Sequence, residues 1–144
     1  MSKYAQGKYQ VINTAKYVGN RMPTYRSSWE FTFCTFCDNN ISVLQWASES
    51  IRIPYRNPFT NKQTIYVPDF IIMYQGKDGQ KRGELIEIKP HKETTLESAK
   101  SVRDQAAAIL NMCKWEAARA FCNQNGLTFR VVTEHDMFHQ GRPK

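Results

Sequence analysis

No acidic residue precedes Glu30, no apolar run approaches the roughly 18 residues that a membrane helix needs, and no internal repeat or low-complexity stretch interrupts the chain. The first absence leaves the start of the chain purely basic. The second argues against a membrane-spanning protein. Residues 1–10 are polar and lack the apolar centre of a secretory signal, so the chain is expected to stay in the cytoplasm where it is made. Cysteine is scarce, at four residues: Cys34, Cys37, Cys113 and Cys122. In a reducing compartment disulfides are not expected. Cys34-x-x-Cys37 is half of a zinc pattern, but the closed site needs a second close pair, and Cys113 and Cys122 stand nine positions apart. Both pairs fall in helical, apolar surroundings, where a free thiol behaves as a small hydrophobe.

What is present reads as one soluble domain. A chain of 144 residues can bury a core without cross-links, and 41% hydrophobic with 23% charged residues is an ordinary globular balance. The net charge of +7 is uneven, with Lys3, Lys8, Lys16, Arg21 and Arg26 unopposed before Glu30. Residues 1–24 therefore read as a basic arm, and 25–144 as a single folded domain. Such an arm favours a polyanion; it also fits a solvated tail that only aids solubility.

Along the domain, Ser27-Ser28-Trp29-Glu30 is a capping-box pattern. It predicts a helix carrying Trp29, Phe33, Phe36 and Cys37 on its apolar side and ending at Asp38-Asn39-Asn40. A short turn holding Trp46 follows. Strands are predicted over 50–55, 64–74 and 84–89, joined by turns at 57–62 and 76–79, with Pro90 stopping the third. Thr94-x-x-Glu97 predicts the start of a long second helix, and Gly126 fits the position after its end. A last strand covers 127–132. The order helix, three-strand meander, long helix, strand predicts an α/β (α+β) domain with one mixed sheet.

The chemistry concentrates in Pro68-Asp69 and Glu87-Ile88-Lys89. Side chains alternate along a strand, so Glu87 and Lys89 share one face with Leu85, while Ile86 and Ile88 face the other way. Antiparallel pairing with the preceding strand can bring Asp69 beside Glu87. Two hard carboxylates suit Mg²⁺ or Mn²⁺. Such an ion acidifies water and screens a phosphate, and a neighbouring lysine can orient that water or stabilise the charge that develops. The carbonyl of Ile88 lies between the two charged residues and can complete a metal shell. On residue chemistry alone, a surface salt-bridge cluster remains an equal reading.

Pro68-Asp69, a spacer, then Glu87-Ile88-Lys89 resembles the signature of the PD-(D/E)xK nuclease superfamily, and the predicted element order resembles its restriction-endonuclease-like core. The flanking segments 25–30, 44–49, 53–55 and 114–118 resemble the head completion nucleases of tailed bacteriophages; the endonuclease subunit of a heteromeric transposase has a similar core, with a like-placed Arg-Ser-Ser and Glu on its first helix. The phage resemblance covers nearly the whole chain and implies a Mg²⁺- or Mn²⁺-dependent DNA endonuclease. Its catalytic residues would be Glu30, Asp69, Glu87 and Lys89, and its metal ligands Asp69, Glu87, Ile88 and Glu30. It further implies double-stranded DNA as substrate, phage portal or head and neck proteins as partners, no membrane, and work in the cytoplasm of the bacterial host or in the virion.

Several residues keep two readings at this stage. Glu30 is a metal-facing acid or a helix cap. Glu49 is a neighbour of the site or a surface acid. Glu84 falls on the wrong face and reads as surface. His91 can approach a phosphate or simply occupy an exposed loop, and Gln105 can contact the strand being cut or face solvent. Lys114 can bind phosphate or extend its charge past an apolar stem. His135 and His139 have i, i+4 spacing without an apparent third ligand. Two functions stand beside phage head completion: nicking of transposon ends, which needs a partner for target choice that this short chain has no second domain to bind, and a structural head-completion role that grips DNA or the portal without cutting.

Overall fold

Ser27 stops an extended stretch and starts a helix. Its hydroxyl accepts the Glu30 N–H at 3.2 Å, and α1 runs Ser28–Asn39 until the Asn40 N–H closes on the Phe36 carbonyl. In this computed structural model, which describes residues 6–97 and 99–139, the buried side of α1 carries Phe33, Cys34 and Cys37. Phe36, expected on that side, is 45% exposed.

After α1 come β3(Val43–Ser48), β4(Ile53–Arg56), β5(Gln63–Tyr66), β6(Phe70–Gln75) and β7(Lys81–Ile88), then α2(Val102–Asn125) and β8(Thr128–Val132). The main sheet is ordered β3-β6-β7-β8, with β8 parallel to β7 and the other neighbours antiparallel. One face holds Phe33, Cys34, Trp46, Phe70, Ile72, Ile86 and Ile88 against α1. The other holds Leu85 with Tyr66, Trp115, Ala118 and Cys122, beneath α2 and the β4–β5 hairpin. This is the mixed α+β architecture expected, and the alternation of Leu85 against Ile86 and Ile88 is as the sequence predicts.

Three expectations need correction. The segment around Trp46 is not a turn but the edge strand β3, whose pairing with β6 shifts between Val43 and Gln45, so its apolar residues do not alternate cleanly. The strand expected over 64–74 is two strands, because buried Pro68 has no N–H for a ladder and breaks the pairing just before Asp69. The long helix starts not near Thr94 but at Val102, where the Ser101 hydroxyl accepts the Asp104 N–H at 3.0 Å. The Thr94 hydroxyl instead donates to the His91 carbonyl at 2.6 Å, closing a 3₁₀ turn over His91–Glu93, and is lost as a cap. Gly126 does end α2, at φ 69°.

The basic stretch expected as an arm lies against this frame. β1(Gly7–Lys8) pairs with β2(Thr24–Tyr25), and residues 16–18 bond to both sides of Trp46 along the open edge of β3. The fastening point is Asp38, fully buried, which accepts the Tyr9 hydroxyl at 2.8 Å and the Ile12 and Asn13 amides at 2.8 and 2.9 Å. Lys16 is also engaged, donating to the Asp38 and Asn40 carbonyls. Lys3 lies outside the described residues.

Burial works to raise the Asp38 pKa, but the donated bonds from Ile12, Asn13 and Tyr9 outweigh it and hold the carboxyl below its usual range. Its contribution to stability is therefore present above the unfolded value of about 3.9 and is lost as pH falls through the lower folded value. Asp38→Ala removes the acceptor of three donors, of which the Tyr9 hydroxyl is buried and the Ile12 and Asn13 amides are partly so, and should cost roughly 3 kcal/mol. Urea unfolding measures the loss; an unchanged midpoint would mean that the docking of residues 7–13 contributes nothing to stability. Among the described residues no helix is long and apolar enough to cross a membrane.

Candidate active site

The break at Pro68 leaves Asp69 at the mouth of β6, and the pairing of Phe70 with Ile86 sets Asp69 beside Glu87. The bond that fixes it runs from the Ile88 N–H to Asp69 Oδ2 at 2.7 Å. From the other side, the Glu49 N–H donates to the Asp69 carbonyl at 2.9 Å. Glu49 sits just past β3 in the left-handed region, at φ 48°, a conformation unusual for a side-chain-bearing residue. Glu30, in the first turn of α1, completes the group. One carboxylate oxygen from each of Glu30, Glu49 and Asp69 lies within 4.8 Å of the others.

Glu87 adjoins this trio without joining it. One of its oxygens accepts the buried Tyr66 hydroxyl at 2.6 Å, and the other lies 3.6 Å from Lys89 Nζ. Lys114 reaches over the Tyr66 ring, 5.8 Å from its centre, and adds positive charge near Glu87. The Glu30 carboxylate also accepts the Arg26 N–H at 3.2 Å, so the same side chain meets both the acid cluster and the backbone just before α1.

The electrostatics are those of acids held too close together. Asp69 is pushed well above the ordinary carboxylate range, first by burial and then by the charges of Glu87 and Glu30. Glu30 is raised by burial and then by Glu49 and Glu87, against the opposing Arg26 amide. Glu87 is raised by burial, with Tyr66, Lys89 and Lys114 pulling the other way. Tyr66 is itself pushed far up by burial and by Glu87, so it remains a donor. A hard divalent cation relieves all of these penalties together, and an all-oxygen donor set is what Mg²⁺ or Mn²⁺ prefers. The donor set fits such an ion.

The other sequence candidates divide. Lys114 faces the site. Gln105 lies exposed on the first turn of α2, and Glu84 pairs with Arg130 at 3.2 Å on the surface. His91 is exposed; its backbone N–H donates to the Glu134 carboxylate at 2.8 Å, and its ring meets His135 edge-on, 4.8 Å between centres. The side chain of His139 lies outside the described residues. Cys34 and Cys37 are buried against α1's face of the sheet, with the Cys34 thiol pushed by burial to about 12, whereas Cys113 and Cys122 belong to the opposite face. Sequence reading missed Tyr66. The signal for it was the inward alternation of Thr64 and Tyr66 leading straight into Val67-Pro68-Asp69.

Comparison with known proteins bears on the same residues. Residues 40–134 match the family described as TnsA-like endonuclease N terminal, a PD-(D/E)xK-like nuclease family, and this stretch contains Glu49, Asp69, Glu87 and Lys89. The chain is also 32% identical over 139 residues, covering 89% of its own length and 90% of the relative's, to the head completion nuclease of Enterobacteria phage T4. With the motif, the sheet that carries it and these two likenesses in agreement, the chain belongs to the TnsA-like endonuclease family of nucleases.

Proposed function

We propose that this protein is a divalent-metal-dependent endonuclease that hydrolyses phosphodiester bonds of double-stranded DNA as a tailed phage completes its heads. The observation that carries the chemistry is the convergence of Glu30, Glu49 and Asp69 within 4.8 Å beside the Glu87–Lys89 pair. Asp69, Glu30 and Glu87, with the Ile88 carbonyl, would hold Mg²⁺ or Mn²⁺, and Glu49 is within reach of the same ion. When bound, the ion supplies positive charge against the phosphate and makes water a better nucleophile at neutral pH.

The protein's own groups do the rest. Asp69 is held in place by the Ile88 amide, so its carboxylate needs no reorganisation before the reaction. Tyr66 holds Glu87 by one oxygen, and Lys89, 3.6 Å from the other, is positioned to donate to a phosphate oxygen or to orient the attacking water. Lys114, on the same side, adds charge that favours the DNA backbone.

This place of action is supported by the likeness to the phage T4 protein, whose name states head completion and which matches this chain over most of both lengths. The partners are then double-stranded DNA and the portal or head and neck proteins, met in the cytoplasm of the bacterial host. Supercoiled plasmid incubated with the purified protein tests the activity. Mg²⁺ or Mn²⁺ should give nicked and linear products, and excess EDTA should give none. Cutting that persists in EDTA would remove the metal mechanism; inactivity with every metal and DNA form would favour a structural head-completion role.

A further inference from the structure

Arg26 touches two members of the acid trio in different ways. Its backbone N–H donates to Glu30 at 3.2 Å. Its guanidinium grips Glu49 with two prongs, Nε to Oε2 at 2.9 Å and Nη2 to Oε1 at 3.1 Å. Both Glu49 oxygens are thus engaged by Arg26, although one oxygen of that acid belongs to the group lying within 4.8 Å. The two partners differ in freedom. Glu49 is fixed at the backbone by its φ of 48° and its bond to the Asp69 carbonyl. The Arg26 side chain is 64% exposed and can turn into solvent while its backbone stays bonded to Glu30.

We infer that Arg26 is the internal counter-cation of the acid trio, and that it becomes a phosphate-binding residue for the DNA once a divalent cation replaces it at Glu49. The guanidinium fork fits a carboxylate and a phosphate equally well, so one side chain can serve both partners. An ion pair this exposed is weak, so giving it up costs little. Release puts a positive charge at the edge of the site when phosphate arrives there, and the metal-free protein is spared an unopposed acid cluster. The inference rests on the metal-nuclease reading and adds to it a specific role for Arg26, which lies just past the basic stretch of residues 1–24.

Arg26→Gln tests it, because glutamine keeps the backbone N–H that Glu30 accepts. Calorimetric titration of the DNA-free full chain with Mn²⁺ should show affinity roughly two- to fivefold tighter in the variant, the scale of one exposed competing ion pair. DNA binding is then followed against salt. In Ca²⁺ the slope of log affinity on log salt should shrink by about 0.9, one phosphate contact, while in EDTA it should match the unaltered protein. If Arg26 merely braces Glu49, Mn²⁺ affinity will be weaker or unchanged; if it meets no phosphate, the Ca²⁺ slope will not move. Either result overturns the inference. Failure of the unaltered protein to take up Mn²⁺ would instead sink the metal reading beneath it, so the two failures are distinguishable.

Discussion

Asp69→Asn should lose most metal affinity and nearly all cutting while folding at least as well as the unaltered chain. The amide oxygen of asparagine can still accept the Ile88 N–H, so the mouth of β6 keeps its anchor. What disappears is a buried negative charge beside two others. Even a partner one shell removed from a metal costs about 10- to 100-fold in affinity, and a direct ligand should cost no less. The stability side has a definite sign. Asp69 in the folded chain is pushed above the carboxylate value of the unfolded chain, so the folded state binds its proton more tightly. Stability is then lost as pH rises from about 4 through the elevated folded value, and the metal-free protein at neutral pH carries that penalty. Removing the charge should leave the melting temperature at pH 7 unchanged or higher. Calorimetric Mn²⁺ titration and thermal melting of one preparation give both readouts. Normal Mn²⁺ affinity in the variant would move the metal away from Asp69.

Lys89→Ala should separate binding from turnover. Lys89 pairs with Glu87 at 3.6 Å, but Glu87 keeps its 2.6 Å bond from Tyr66, so the acids should stay in place without the lysine. Mn²⁺ and DNA binding should persist within a few-fold. Turnover should fall by at least about a hundredfold, the scale of losing one donor aimed at developing charge. Single-turnover cleavage at saturating protein reads the chemical step directly. A variant that cuts at the normal rate would reduce Lys89 to a counter-ion of Glu87, and one that loses metal binding would make it structural.

The neighbourhood of Asp69 and Glu87 was legible in the sequence because it depends on strand alternation and on one hairpin register, and both are local. Phe70 opposite Ile86 is the register of a hairpin whose connecting loop turns at Gly79, at φ 80°. The start of α1 was legible for the same reason, since Ser27 and Glu30 are three apart. What escaped depends on contacts between distant parts of the chain. Glu49 becomes a member of the trio through a left-handed backbone and a bond to the Asp69 carbonyl, and neither leaves a mark on its immediate sequence. The edge strand at Trp46 was hidden by the shifted pairing that breaks its alternation. The fastening of residues 7–18 was hidden because it hangs on Asp38, a residue that reads locally as a helix terminator. Thr94 looked like a cap because the pattern alone cannot tell which carbonyl or amide its hydroxyl will reach.

A divalent-cation site formed by Asp69 and its neighbouring acids is what the other expectations depend on. Crystals of the protein soaked in Mn²⁺, with anomalous diffraction collected above the manganese edge, test it most directly. An anomalous peak should lie in contact with an Asp69 carboxylate oxygen and with at least one of Glu30, Glu49 and Glu87. Strong manganese peaks confined to other parts of the surface, with Asp69 bare at saturating metal, would contradict it.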